Sequence, residues 1–201
     1  MTIDTETCNL ALSHLGDGTL LTDPLTERSE QAICARTFFP TALTYTLKQY
    51  DWGSHRKYAN LSLVETDPNA EWKYSYRYPT DCVMARKIVS GIRNPRDEQK
   101  IPFALGIDDE GQLIYTDMYQ ATLRYTMLND EADTWDLDFK LAVSYHLAYL
   151  MAARLKSGAS SKIKAEMASQ FLSAVQQARA NSANQEEEGP QTMSSLEASR
   201  Y

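Results

Sequence analysis

Cysteine is scarce and poorly placed for cross-linking. The chain has three, Cys8, Cys34 and Cys82. An odd number, widely spaced and without a Cys-x-x-Cys pair, points to neither a disulfide framework nor a zinc site. Cys8 and Cys34 sit in apolar helical settings, as small buried hydrophobes do. Histidine is equally sparse: His14, His55 and His146 share no ligand spacing. His146 lies on an apolar run beside Ala142, Val143 and Leu150, where a core position is expected. No His-Glu-x-x-His, Gly-x-Ser-x-Gly or phosphate-loop pattern occurs. The acidic strings "DTWDLD" and "DDEG" are explained by helix capping and turns, so no enzyme activity and no cofactor is expected. Positive charge is in deficit too, with 20 Lys and Arg against 27 Asp and Glu and a net charge of −7. That argues against a dedicated nucleic-acid binder, which needs a cationic surplus to neutralise phosphates. No stretch approaches 18 uninterrupted apolar residues, so no ordinary membrane span is expected. The N-terminus lacks the basic region of a signal peptide. A reducing cytosol is the expected place of synthesis.

Periodicity organises what remains. Residues 4 to 15 read as a short amphipathic helix stopped by Gly16. A loop rich in turn residues leads to a second helix over about 26 to 50, with Pro40 expected to kink or interrupt it. From about 54 to 128 the pattern alternates: "KYSYRY", "CVMARKIVSGI", "ATLRYTML", and a hairpin turn at Glu110-Gly111. Helical spacing returns in "TWDLDFKLAVSYHLAYLMAARLKSG", apolar on most sides and so expected at the centre of a bundle. A last helix starts near Ser160. The expected fold is mainly α: an antiparallel bundle of about four helices in residues 1–184, with a β-rich insert over about 54–128. Residues 185–201 read as a flexible, extended C-terminal tail, acidic and poor in apolar residues.

Several stretches, in this order, look like one family. "CNLALSHLG" at 8–16, Ala32 and Cys34 before "LKQYDW", "YRYPTDC" at 76–82 and the block "IYTDMYQATLRYTMLNDEADTWDLDFKLAVSYHLAYLMAARL" at 114–155 resemble the head-to-tail adaptors of short-tailed phages. These are also called head completion or tail tubular protein A-like proteins. The resemblance spans about residues 5 to 180. It implies a virion protein at the head–tail interface, assembled in the host cytoplasm. Such proteins form a ring, usually of twelve copies, beneath the portal protein. They extend the DNA channel and offer a platform for the tail nozzle or tail tube protein. DNA would pass through the lumen without sequence-specific binding, and no membrane is involved. An acidic subunit suits a channel wall along which DNA must slide, because a basic lumen would hold phosphates. The alternatives are a DNA-binding accessory protein of the virion and, with less support, a hydrolase.

Three sets of residues are candidate contact sites. In "WKYSYRY", Trp72, Tyr74, Tyr76 and Tyr78 fall on one face of an extended chain, with Lys73, Ser75 and Arg77 on the other. These rings either fill a core or close a sheet edge onto the next subunit, since Tyr and Trp favour interfaces. Base stacking would need a basic groove on the same face. Arg86, Lys87, Arg93, Arg96 and Lys100, interrupted by Asp97 and Glu98, form either a solvated loop or a partner-facing one. Met193, Leu196 and Tyr201, spaced along the polar tail, suit an extended peptide whose anchors fill pockets on the portal.

Overall fold

The computed structural model describes residues 2–92, 95–156 and 160–185. In chain order these form α1 (Thr5–His14), α2 (Glu30–Gln49), β1 (Arg56–Asn60), β2 (Leu63–Thr66), β3 (Tyr74–Arg77), β4 (Cys82–Ile88), β5 (Phe103–Asp108), β6 (Gly111–Thr116), β7 (Thr122–Met127), α3 (Leu137–Leu155) and α4 (Ser160–Gln185).

Helix ends follow local chemistry. The Asp4 carboxylate accepts from the Thr7 amide at 3.0 Å and caps α1. At the other end Gly16 adopts φ +65°, while its own amide and that of Asp17 return to the carbonyls of Ser13 and Leu12. Helix α2 starts later than residue 26. The Glu27 carboxylate accepts from the amides of Thr22 and Asp23, which folds Thr26 and Glu27 back into the preceding loop. Ser29 becomes the cap instead, accepting from Ala32. The helix runs on through Pro40 as a single element, which corrects the expected interruption. Helix α3 starts at Leu137 rather than near Thr134, because Ala132–Thr134 form a separate 3-10 turn. It packs against α1, α2 and α4, as its all-round apolar sequence predicts. Its buried Phe139, Val143, Leu147 and Met151 form the middle of a helical core with Leu12, Phe39, Leu43 and Phe171.

The seven strands form two antiparallel sheets, β1-β7-β4 and β2-β3-β6-β5. They enclose a second core of Leu61, Tyr76, Ile88, Ile114, Leu123 and Tyr125. Two seams join them. Strand β1 runs into β2 through Leu61 and Ser62, and an antiparallel bridge links Ile88 of β4 to Ile101 just before β5. The β5–β6 hairpin turns at Asp109-Glu110, with Gly111 at φ +141° opening β6.

The expected mainly α bundle is therefore corrected. The structure is 45% helical and 22% strand, a mixed fold in which the β segment has its own core. Four helices were legible. The weight of the strands was not, because runs of four to seven residues give a weak periodic signal individually. The independence of the second core gives a direct test. Tyr76 is buried, and its hydroxyl donates to the Met118 carbonyl at 2.8 Å. Tyr76→Phe should cost about 1 kcal/mol in urea unfolding, the worth of one buried hydrogen bond. No measurable loss would mean that the hydroxyl contributes nothing to this core.

Candidate functional site

The outer face of the three-stranded sheet meets the end of α2 through a layer of arginines. Arg86 on β4 donates from Nε to the Thr126 hydroxyl at 2.8 Å and from Nη2 to the Leu47 carbonyl at 2.8 Å and to the Tyr50 carbonyl. Arg179 on α4 donates to the Gln49 carbonyl at 2.7 Å, with its guanidinium over the Tyr50 ring. The last carbonyls of a helix lack intrahelical donors and carry the negative end of its dipole, so cations belong there. Beside them, Asp51 takes an ion pair from Arg124 and another from Arg56, whose Nε lies 3.2 Å away. Burial lowers the Arg86 pKa below its ordinary value; Asp51 opposes that shift, and Arg124 and Arg179 add to it. This polar joint fastens the β segment to the helices. Sequence reading missed Asp51, Arg56, Arg124 and Arg179, because nothing in periodicity tells which strands pair or which helix end faces them.

Arg86 and Lys87 lie on β4 rather than on a loop, and Arg86 points at the helix end. Lys87 is opposite Arg124 in the ladder. Arg96 is exposed before the turn Asp97–Gln99, and Lys100 pairs with Asp97. Arg93 lies outside the described residues. The four described residues do not converge on one basic surface.

The aromatic stripe divides as well. Tyr74, Tyr76 and Tyr78 all pack on the second core, Tyr76 fully buried and the other two half-buried. Trp72 precedes the strand, in a bend held by the Asn69 side chain accepting from its amide. Tyr74 also meets Tyr119, centroids 5.5 Å apart, and Tyr119 is exposed. On the opposite face Arg77 makes two hydrogen bonds to Asp108, at 2.7 and 3.0 Å, and one to Glu110. With Tyr76 buried within the chain, Trp72, Tyr74 and Tyr78 are the members of the stripe that retain exposed surface.

Two histidines, His55 and His146, are buried, and His14 is half-buried. His55 is fully buried between Phe139 and Trp135, ring centroids 4.3 and 5.9 Å away, and burial pushes its pKa down to about 4. His146 lies between Tyr45 and Phe171, and His14 stacks on Tyr145; burial lowers both. Among the described residues no group of three or more His, Cys, Asp or Glu is arranged to hold a metal ion, and no helix is long and apolar enough to cross a membrane.

Exposed apolar side chains occur in several places, and both edges of the four-stranded sheet carry a pair of them. Leu105 and Ile107 on β5 are 60% and 76% exposed, and Leu63 and Val64 on β2 are 45% and 42% exposed. Among the described residues no further strand pairs with these two edges, and unpaired edges with apolar side chains suit contact with another protein surface. The tail anchors Met193, Leu196 and Tyr201 lie outside the described residues. Compared with known proteins, the chain matches no protein-family model and no curated protein.

Proposed function

We propose that this protein is a structural head-to-tail adaptor of a short-tailed phage. Copies of it would form a ring beneath the portal, lengthen the DNA channel and present a platform to the tail nozzle or tail tube protein. The observation that carries the reading is where the family-like stretches fall. "YRYPTDC" and "IYTDMYQATLRYTML" are separated in sequence, yet they pair directly: Tyr76 opposes Ile114, and Cys82 opposes Met127. The second stretch then runs from β7 through the turn at Ala132–Thr134 into α3. Two of the stretches that carry the resemblance thus form one connected unit, rather than being scattered over the surface. The role is structural, with DNA passing through the lumen and not bound by sequence. The broken-up basic set favours this over a DNA-binding accessory role, since Lys100 is paired and Arg86 is committed to the helix end.

The test is negative-stain imaging of the protein mixed with the portal protein encoded in the same genome. Rings on the portal face are expected, and bare portals would reject the reading. In the same assay, a chain ending at residue 185 should fold normally but lose attachment, because residues 186–201 carry the proposed portal-binding arm. Full decoration by that truncated chain would reject the arm and leave the adaptor role standing.

A further inference from the structure

We infer that the free edge of β5 takes the free edge of β2 from a second copy, so that the four-stranded sheet continues from one subunit to the next. The second copy as occupant rests on the adaptor reading above; the edge itself is read from the strands.

Two antiparallel sheets leave four outer strands, and these are not alike. Strand β1 places Arg56 and Lys57 on its edge, and β4 has two register irregularities with Arg86 and Lys87 among them. Charges and bulges of this kind deter a further strand from pairing. Strand β5 has neither. It pairs with β6 through six consecutive residues without irregularity, and Phe103–Asp108 contains no proline and no charge before Asp108. Its back face is braced by the Tyr115 ring over Gly106, where an added Cβ would come within 2.3 Å. Only the approach to β5 is covered, by the bridge from Ile101 to Ile88. Among the described residues no strand pairs with the other edge of Phe103–Asp108.

The partner edge lies at the far side of the same sheet. Leu63, Tyr76, Ile114 and Leu105 stand opposite one another in register, so they form one row on one face. The two middle members are buried and the two end members are exposed. Placing β5 of one copy beside β2 of the next continues this row with Leu105 against Leu63. Strand β2 itself has one irregularity, between Leu63 and Glu65, and one charge, so the new pairing is confined to its start, where Leu63 and Val64 are exposed. Direction also agrees. Four strands, each antiparallel to its neighbour, make the two outer ones run oppositely. A copy related by simple rotation therefore meets β5 with an antiparallel β2. Such a head-to-tail contact leaves each copy with one edge filled at either side, and it closes into a ring when the rotation divides a full turn. A two-fold β5–β5 pairing would stop at a dimer and leave β2 uncovered.

Cysteine cross-linking tests this in full-length protein carrying Cys82→Ser, with Cys8 and Cys34 buried. Leu63→Cys and Leu105→Cys chains are mixed and oxidised, both concentrated alone and bound to the portal. Disulfide dimers are expected from the mixture and not from either chain alone, and a chain carrying both changes should give a ladder of oligomers. Ile107→Lys should abolish ring formation while leaving the circular dichroism and melting of the monomer unchanged. Dimers from Leu105→Cys alone would overturn the proposal in favour of two-fold pairing. Complete portal rings without mixed cross-links, and still formed by Ile107→Lys, would overturn it while sparing the adaptor reading. Mixed cross-links in concentrated protein with bare portals would support the pairing and reject the adaptor reading.

Discussion

Arg86→Leu is expected to lower the unfolding free energy by about 3 kcal/mol. The substitution keeps the aliphatic bulk on β4 but removes the donors that reach the Thr126 hydroxyl and the carbonyls of Leu47 and Tyr50. Each of those acceptors is part-buried, and each acceptor left without its donor costs about 1–3 kcal/mol when water cannot replace it fully. It also removes a cation from the negative end of the α2 dipole. Arg86→Lys should recover part of the loss, since one ammonium reaches fewer acceptors than a guanidinium fork. The measurement is a urea midpoint for the three proteins at fixed pH. A leucine variant within about 0.5 kcal/mol of the parent, the range of ordinary surface changes, would show that the joint does not hold the two parts together.

Acid should find the second weak point. The His55 imidazole is neutral in the folded chain, where burial outweighs the opposing influences of the Asn129 carbonyl and Asp136 and leaves its pKa at about 4, against an ordinary 6.5. Above pH 6.5 the folded and unfolded chains both carry it uncharged, and its contribution is full. Between 6.5 and 4 the unfolded chain takes up a proton that the folded chain refuses, so stability falls as the pH drops through that window and levels off below it. The loss amounts to about 3 kcal/mol by pH 4 at 1.36 kcal/mol per pH unit. His14 and His146 act in the same direction. His55→Gln removes the titration but not the other acid effects. Its unfolding free energy should therefore fall less between pH 7 and 4 than that of the parent. Parallel pH profiles would show that His55 is not the origin of acid sensitivity.

Both features show what a sequence conceals. Helices were readable where apolar spacing and a cap coincide, as at Asp4 and Gly16. Helix α2 was misplaced at its start because Glu27, an apparent first-turn acid, serves the preceding loop instead. The alternation of Tyr74, Tyr76 and Tyr78 correctly placed rings along one face, and all three pack on the second core. It could not tell that extended pairing begins only after Trp72. The placement of Arg86 and Lys87 on a loop was wrong for a different reason. Charge in sequence carries no address, and Arg86 reaches a helix end 36 to 39 residues away through a pairing of strands that no local pattern encodes. The edges of β2 and β5 were likewise invisible until the order of strands was known.

The placement of β1 beside β7 has a kinetic consequence. Arg56 opposes Thr126, so the first and last strands of the segment bring its two ends together. Trp52 and Trp135, just outside those strands, both pack on Phe139 at 4.9 and 5.1 Å. Joining α2 to α3 directly would mean closing a loop of all the intervening residues. Once β1 and β7 have paired, only the short runs on either side remain to be closed. The helix closure is then about 1.5 kcal/mol less costly than it would be alone, the larger loop having been closed by the strand pairing itself, since the cost grows with the logarithm of loop length. Pairing of β1 with β7 and docking of α3 on α2 therefore assist each other, because either contact shortens the loop that the other must close.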